Sequence, residues 1–274
     1  MRICAVRRKE CFSPNSIEND AAIIGQVSDI LREAGHEVVS VCEENELFTN
    51  YNFSNDHKPL FDCWLSMGRM QTTLDVLKAE QQRGAFVINS AYGVENCRRD
   101  VLTKLMKEWG IPAPDDEGAN GYWVKRADMA AQTHDDVVFA ADREQADEAI
   151  AQFASRGIHQ IVVQAHVIGD VVKFYGVQGT GFFKCFYPGD DDISKFGDET
   201  INGAPHHYAF DLVALQRHAE LLSLKADVKV YGGDCVVMDN GDYRIIDFND
   251  WPSFSRCRHD AALAIASLIT AHTI

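Results

Sequence analysis

The chain lacks several features that would place it in a specialised class of proteins. No apolar run approaches the roughly 20 residues that a transmembrane helix needs, and the N-terminal MRICAVRRKE has no long apolar segment of the signal-peptide kind. The eight cysteines are scattered without a Cys-x-x-Cys pair, which predicts buried thiols rather than a disulfide or zinc framework. We therefore expect a cytoplasmic protein.

Positive charge is also scarce in this sequence. Only 26 lysines and arginines oppose 41 aspartates and glutamates, which leaves a net charge of −15. This balance argues against a nucleic-acid or membrane-surface partner, because both are anionic. The 274 residues have the 46% hydrophobic content of a globular protein, and they are enough for two or three subdomains. We expect a small, anionic molecule as the substrate, and the oligomeric state stays open.

Residues 1–92 alternate short β-like runs with amphipathic helices. The apolar stripe over residues 17–34, for example, predicts a helix between strands at 3–6 and 37–41. This alternation is typical of parallel β-α units, whose ligands bind near the carboxyl ends of the strands. The loop Ser13-Pro14-Asn15-Ser16 after the first strand has two interpretations, an anion site at a helix start or ordinary capping.

The pattern changes after a helix that we predict over residues 95–109. This helix stops at Gly110-Ile111-Pro112-Ala113-Pro114, and a proline-rich stop of this kind favours a boundary between subdomains. Beyond it, short strands and helices are separated by polar loops over 127–136 and 190–207. The pattern of this second half of the chain therefore predicts an α+β organisation.

The most informative stretch of the chain covers residues 232–254. Two apolar runs in it flank Asn240-Gly241, a pair that signals a tight β-hairpin turn because both residues tolerate positive φ. A two-residue turn at this pair places Met238 opposite Tyr243. The stretch therefore predicts two paired strands, 235–238 and 243–248, with a known register.

That register also brings together three oxygen-bearing side chains. Asp234 then faces Asp247, and Asn249 lies on the same side of the sheet because side chains alternate along a strand. Facing carboxylates repel each other, whereas two carboxylates and an amide oxygen are hard ligands that suit Mg²⁺. The other interpretation is that all three point into water from solvated loops.

Three cations lie in apolar or helical surroundings upstream of the hairpin. Lys125 and Lys173 each occupy an apolar strand, and Arg99 lies on the helix that enters the same part of the chain. Fixed cations of this kind bind phosphate, although a lone lysine is more often an edge-strand residue. The strand end Gln164-Ala165-His166-Val167 offers backbone groups that can hydrogen-bond the edge of a flat heterocycle.

Other polar residues are weaker candidates. Arg256 and Arg258 follow the hairpin, where they either bind an anionic substrate or lie exposed near a helix start. Arg69 follows a predicted strand and is a possible substrate contact. His206 and His207 lie in the long loop, and we interpret them as surface residues rather than as acid–base groups.

In their order and spacing, these pieces resemble the ATP-grasp superfamily across nearly the whole chain. The matching pieces are the stretch 89–114 ending in Gly-Ile-Pro-Ala-Pro, Trp123-Val124-Lys125, Val162-Val163-Gln164-Ala165-His166 with Lys173, and Asp234 with Asp247-Phe248-Asn249-Asp250-Trp251-Pro252. The last piece is the most specific.

The resemblance implies a set of roles for residues of this chain. It implies ATP bound between two α+β subdomains together with Mg²⁺. The phosphates would contact Arg99, Lys125 and Lys173; the adenine edge would meet Gln164, Ala165 and Val167; and the metal would bind Asp234, Asp247 and Asn249. Lys173 and Arg256 would then act on the transferring phosphoryl group.

The fold class implied is α/β with α+β subdomains. The resemblance assigns residues 1–92 to an N-terminal parallel β-α-β subdomain and 93–116 to a linker helix. It assigns 117–170 to a small nucleotide-clamping subdomain and 171–274 to a large one that carries the metal site.

Two departures from the superfamily pattern bear on the reaction. The loop after Lys125 has no glycine between 128 and 135, where many relatives carry a glycine-rich phosphate lid. Carboxylate-activating relatives usually have Glu-x-Asn, whereas Asp247-x-Asn249 looks more like the inositol polyphosphate kinase branch. The leading expectation is a ligase that activates a carboxylate as an acyl phosphate for an amine. The alternatives are a small-molecule kinase acting on a hydroxyl and a nucleotide-binding protein without turnover.

Overall fold

The structure is a computed structural model that describes residues 1–13, 16–54, 58–128, 133–190 and 201–272. Three sheets and the helices packed on them account for most of this described part of the chain. No helix within these ranges combines the length and the apolarity needed to cross a membrane. The middle of the two polar loops, 129–132 and 191–200, and residues 14–15 of the first loop lie outside the described residues.

The N-terminal sheet is parallel, as the alternating pattern predicts. It consists of β1 (Arg2–Arg7), β2 (Glu37–Cys42), β3 (Cys63–Ser66) and β4 (Phe86–Ile88), connected through α1 (Ile17–Glu33), α2 (Glu46–Thr49) and α3 (Gln71–Gln82). The strand order β2-β1-β3-β4 reverses between β1 and β3. Such a switch point leaves a crevice at the carboxyl ends of the two strands, where open α/β sheets bind ligands.

Helix α1 begins where the sequence predicts, but its cap differs. Ser16 occupies the N-cap position without a side-chain capping hydrogen bond, whereas Ser13 Oγ donates to Asp20 Oδ2 at 2.6 Å. The buried face of α1 includes Ile23 and Val27, both fully buried. It packs on the sheet and on the C-terminal helix described below.

The single helix predicted over residues 95–109 is wrong, because the structure has two. They are α4 (Ala91–Asn96) and α5 (Arg99–Glu108), with extended backbone at Arg98 between them. The break has a tertiary cause that local sequence does not carry. Asn96 Nδ2 donates to Ala226 O at 3.1 Å and holds α4 there, while the Arg98 guanidinium, just before α5, donates to the distant Gln160 Oε1 at 2.7 Å.

The small sheet is antiparallel with the order β6-β5-β7. Its strands are β5 (Tyr122–Arg126), β6 (Val137–Ala140) and β7 (Ile161–Ala165), and α6 (Arg143–Ser155) covers one face. Val124 and Phe153, buried to within 1%, lie in the core between α6 and this sheet.

The large sheet is also antiparallel, with the order β11-β10-β8-β9. Its strands are β8 (Asp170–Val177), β9 (Phe182–Phe186), β10 (Val230–Val237) and β11 (Tyr243–Asp250). One face packs on α5 and α7 (Leu212–Ala226), and the other face meets α8 (Arg258–His272), which also packs on α1. The C-terminal helix therefore shares one hydrophobic core with the N-terminal sheet.

Candidate functional site

The turn of the β10–β11 hairpin differs from the predicted one. Tyr243 lies opposite Val237, so the expected pairing with Met238 is wrong. Met238 N donates to Asp242 O at 2.8 Å, and Gly241 N donates to Met238 O at 3.0 Å, which gives a three-residue loop. Only its last residue, Gly241, has a positive φ, of 84°. The backbone freedom of Gly241 therefore serves a bulged turn rather than the two-residue turn.

A second irregularity restores the predicted pairing of the two aspartates. Cys235 lies opposite Ile245, but the next pair is Asp234 with Asp247, because Ile246 is an extra residue in β11. The bulge at Ile246 and the bulge at the turn shift the register in opposite directions. The two carboxylates consequently face each other as predicted from the sequence.

Lys173 extends this pair into a row of charges across three neighbouring strands. The β8–β10 register places Lys173 directly opposite Asp234, and its Nζ lies 3.0 Å from Asp234 Oδ1. On the other side of the row, Asn249 Nδ2 donates to Asp247 Oδ2 at 3.0 Å. The predicted metal ligands and one predicted phosphate contact therefore lie on one face of the large sheet.

The other two predicted cations reach this row from outside the sheet. Arg99, at the start of α5, places its Nε 3.7 Å from Asp247 Oδ1. Lys125 Nζ lies 3.0 Å from both Gln164 Oε1 and the carbonyl oxygen of Ile246, the bulge residue. The carbonyl of a bulge residue forms no hydrogen bond with the neighbouring strand. Lys125 donates the hydrogen bond that this carbonyl would otherwise lack.

Asp247 stays ionised in this setting. Burial by itself would raise the pKa of this carboxyl, but Arg99 and Lys125 oppose the effect, and the Asn249 hydrogen bond adds to their influence. The net result is a pKa below the ordinary value. Asp247 therefore presents a negative charge at neutral pH.

Two glycines of β10 stand where the neighbouring residues leave no room for a Cβ atom. A Cβ at Gly233 would lie 2.3 Å from the carbonyl oxygen of Asp247 and 2.4 Å from the Phe174 ring. A Cβ at Gly232 would meet Pro252 Cγ at 2.9 Å and Tyr175 Cδ1 at 3.0 Å. Any side chain at either position would displace the strands that carry the carboxylates.

The strand end at residues 164–167 offers fewer backbone groups than predicted. Ala165 N donates to Asp115 O at 2.7 Å, and His166 N donates to Gly121 O at 2.8 Å. Val167 O accepts a hydrogen bond from Asn202 Nδ2 at 3.2 Å. Neighbouring segments of the chain therefore already form hydrogen bonds with several of the backbone groups that the sequence suggested for binding the edge of a heterocycle.

The structure places the weaker candidate residues in different surroundings. Arg256 lies on the site, where its guanidinium donates to Tyr187 O at 3.3 Å. Arg258 instead donates to Asn19 Oδ1 at 2.8 Å. His206 and His207 have largely exposed side chains and pair with nearby aspartates, in agreement with their interpretation as surface residues.

Arg8 and Asp250 are polar residues of the site that the sequence reasoning did not assign to it. Arg69 NH2 lies 2.5 Å from Asp250 Oδ1, so the weak candidate Arg69 joins the site through a residue that was not proposed. Arg8 donates to the carbonyl of Trp251 and lies 3.3 Å from Asp20. One available signal was the position of Arg8, which comes just after Arg7 at the carboxyl end of the first predicted strand.

The row of charges, the cations that reach it, and Arg8, Arg69 and Arg256 line one cavity of about 430 Å³ between the three sheets. The ten predicted site residues are among its lining: Arg99, Lys125, Gln164, Ala165, Val167, Lys173, Asp234, Asp247, Asn249 and Arg256. Among the described residues that line it, six lysines and arginines outnumber four aspartates. The cavity is thus cationic in a chain whose net charge is −15.

The architecture matches solved structures over the whole chain. A RimK domain ATP-grasp protein from Sphaerobacter thermophilus superimposes with a TM-score of 0.63 at 16% identity, covering 98% of this chain and 100% of its own. D-alanyl-alanine synthetase A from Vibrio cholerae gives 0.65 at 13% identity, with 98% and 96% covered.

The fold is that of the ATP-grasp superfamily. A further ATP-grasp structure, the ligase PsnB solved with Mg and ADP, gives a TM-score of 0.60 at 13% identity and covers 99% of this chain and 98% of its own. No family model and no curated protein matches the sequence. At these identities the likeness defines the ATP-grasp fold, and the chemistry has to be argued from the site.

Proposed function

We propose that this protein is an Mg²⁺- and ATP-dependent ligase that activates a carboxylate for attack by an amine. The observation that carries the proposal is the row of Lys173, Asp234 and Asp247, with Arg99 and Lys125 above it in one cationic cavity. Phosphoryl transfer is mainly a matter of positioning and charge stabilisation, and fixed cations around metal-binding carboxylates supply both.

The donor set fits Mg²⁺ bound to a nucleotide. Asp234, ionised Asp247 and the amide oxygen of Asn249 are hard oxygen donors on one face of the sheet. No cluster of three or more His, Cys, Asp or Glu side chains suited to a metal occurs among the described residues. A ligand set here therefore has to include the amide. The metal would neutralise charge on the transferring phosphoryl group.

The cations of the cavity take the remaining roles. Arg99 and Lys173 now neutralise Asp247 and Asp234, and both would turn to phosphate oxygens when the metal takes the carboxylates. Lys125 bridges the small sheet to β11 and would hold the phosphates between the two sheets. Arg256, at the opposite rim, would stabilise the transferring group or its acceptor.

Known structures favour the ligase over the kinase. The neighbours with matching architecture include a D-alanine–D-alanine ligase from Bacillus anthracis complexed with ATP, at 13% identity and a TM-score of 0.60. The Asp247-x-Asn249 spacing is the feature that favours a kinase, but an aspartate and a glutamate both bind Mg²⁺. The length of that side chain therefore does not outweigh the architecture.

Phosphorus NMR of the purified protein with Mg²⁺-ATP and a library of acids and amines tests the proposal. A ligase releases free phosphate only when an acid and an amine are both present. We expect Asp247→Asn to abolish this release. The matched control is Asp242→Asn, which makes the same change at an exposed position in the turn of the same hairpin.

Each result of this experiment has a defined meaning. A new phosphomonoester without free phosphate would replace the ligase by a kinase. Mg²⁺-dependent ATP binding without any product across the library would favour the non-catalytic alternative. Equal turnover in Asp247→Asn and Asp242→Asn would refute the assignment of Asp247 to a metal site.

A further inference from the structure

The cavity changes from a charged end to an apolar end along the large sheet. Lys173 lies opposite Asp234 in the β8–β10 pairing, and two residues further along these strands Val171 lies opposite Val236. Side chains two residues apart share one face of a sheet, so both pairs face the same way, about 7 Å apart. All four residues line the cavity. Its wall on this sheet therefore passes from an ion pair to an apolar surface in one step along the strands.

The wall formed by the small sheet shows the same change. Lys125 and Trp123 lie two residues apart on one face of β5, and both line the cavity. Gln164 is opposite Trp123 in β7, and His166 N donates to Gly121 O at 2.8 Å, which continues this pairing beyond the strand. His166 therefore shares the face of Gln164 and Trp123, whereas the other face carries the side chains that pack on α6.

The ring of His166 is fixed in one tautomer by its neighbour. Trp123 Nε1, which can only donate, gives its hydrogen bond to His166 Nδ1 at 3.1 Å. In the neutral ring the proton is then on Nε2. Burial lowers the pKa of His166, so the ring is neutral at neutral pH. The rings of Trp123 and Phe139 pack around it, with centroids 6.2 and 5.3 Å away. The imidazole is therefore an uncharged donor in a defined orientation.

The hydrogen-bond donor of His166 is accessible in the cavity. Within the described residues, its Nε2 has no hydrogen-bond partner, and it is not one of the fully enclosed unpaired atoms. The ring itself lines the cavity. Beside it, Ala165 N and Val167 O already form hydrogen bonds within the chain. A molecule at this end of the cavity therefore meets the imidazole N–H where the backbone groups are taken.

We infer that His166 is a specificity-determining residue, whose Nε2–H donates to a ring nitrogen of the nucleotide base. This inference rests on the proposed function, since it assumes that the phosphates lie at the charged end beside Lys125 and Lys173. The base then lies at the apolar end, where the imidazole meets its edge. Adenine offers the ring nitrogens N1, N3 and N7 as acceptors.

The neutral state of the imidazole favours a base over a phosphate. Phosphate oxygens bind most strongly to charged donors, and the cavity has these at its other end in Arg99, Lys125 and Lys173. A neutral donor in an apolar and aromatic wall suits an uncharged acceptor in the plane of a ring. A base without that acceptor would leave the donor unpaired, which is how a hydrogen-bonding site rejects an analogue.

Calorimetric titration of the full chain with Mg²⁺ and ATP, 1-deaza-ATP, 3-deaza-ATP or 7-deaza-ATP tests the inference. Each analogue replaces one ring nitrogen by a C–H group, and acids and amines are left out so that the ligase does not turn over. We expect one analogue to bind the wild type about tenfold more weakly than ATP. His166→Phe should bind that analogue and ATP equally, because it keeps an aromatic ring and removes the donor.

Three further variants serve as controls. His159→Phe makes the same change at an exposed position just before β7, outside the cavity lining, and should keep the tenfold difference. Trp123→Phe leaves His166 Nδ1 without its donor, so that either nitrogen can carry the proton, and it should reduce the difference. His166→Leu, which is smaller, answers the same question if the phenylalanine variant does not fold.

The outcomes separate this inference from the proposed function. Equal binding of all the nucleotides by the wild type, or the same deficit in the wild type and in His166→Phe, would overturn the inference. Selection of ATP that depends on His166, without phosphate release from any acid and amine, would count against the ligase alone. A wild type that binds no nucleotide would overturn both.

Discussion

Two buried carboxylates of this protein differ in how completely they are paired. Glu80, in α3, accepts hydrogen bonds at both oxygens: from Tyr51 and Arg83 at Oε1, and from Leu60 N and Trp64 Nε1 at Oε2. Asp250, at the cavity, has one arginine at Oδ1 and no described donor at Oδ2. Both side chains are almost fully buried.

The difference indicates what each carboxylate does. The donors of Glu80 come from loops, a strand and its own helix, so this carboxylate holds together the outer face of the N-terminal sheet. Glu43 is a similar case, since three backbone N–H groups saturate it. A structural carboxylate has its hydrogen bonds filled by the chain, whereas one oxygen of Asp250, a residue that lines the cavity, has no donor among the described residues.

The largest expected effect on stability comes from a change at Glu80. Glu80→Gln should lower the free energy of unfolding by about 3–5 kcal/mol, because it leaves the buried Arg83 guanidinium without its carboxylate. Urea unfolding measures the loss. Nucleotide affinity of the folded variant should stay at the wild-type value, and a loss below about 1 kcal/mol would refute the structural role.

Asp250→Asn should be less destabilising, by about 2 kcal/mol in the same unfolding experiment. Arg69 loses one charged hydrogen bond, but its guanidinium faces a cavity that water can reach. Asp242→Asn, at the exposed turn, is the control and should change stability by less than about 0.5 kcal/mol. Equal losses in Asp250→Asn and Glu80→Gln would contradict the distinction drawn between the two carboxylates.

A matched pair of tryptophans sharpens the comparison. Trp64 and Trp251 are both fully buried, but Trp64 Nε1 donates to Glu80 at 3.1 Å and Trp251 Nε1 has no described acceptor. Both changes to phenylalanine remove similar volume. Trp64→Phe should therefore be the less stable variant, by about 1–2 kcal/mol, the contribution of one hydrogen bond to a charged group. Thermal unfolding of the two variants gives this difference.

The smallest effect is a pH dependence at the cavity. The pKa of Asp247 is held below its ordinary value, so between the folded and unfolded pKa values the unfolded chain binds more protons. The contribution of Asp247 is therefore complete above about pH 4 and is lost as the pH falls through the folded pKa. Unfolding of wild type and Asp247→Asn between neutral and acidic pH should show a stability difference that changes only in acid. A constant difference would exclude this coupling.

Local sequence was sufficient to predict much of the fold and one pair of facing carboxylates in the site. Alternation of apolar runs with helices predicts the parallel N-terminal sheet, because each unit follows from short-range patterns. The pairing of Asp234 with Asp247 was predicted from neighbouring residues, on the rule that a hairpin register depends on a few residues around its turn. The pairing was correct even though the turn was not, because the bulge at Ile246 offsets the bulge at Gly241.

Only the tertiary structure decided which distant groups share the cavity. The sequence marked Lys173 and Asp234 separately, but the β8–β10 pairing that places them 3.0 Å apart joins segments some 60 residues distant. The same holds for the break between α4 and α5 and for the contacts of Arg8 and Arg69 with the end of β11. The sequence by itself determined the residue types and the local register. Long-range packing determined which charges meet, because no local pattern encodes the partner of a buried arginine.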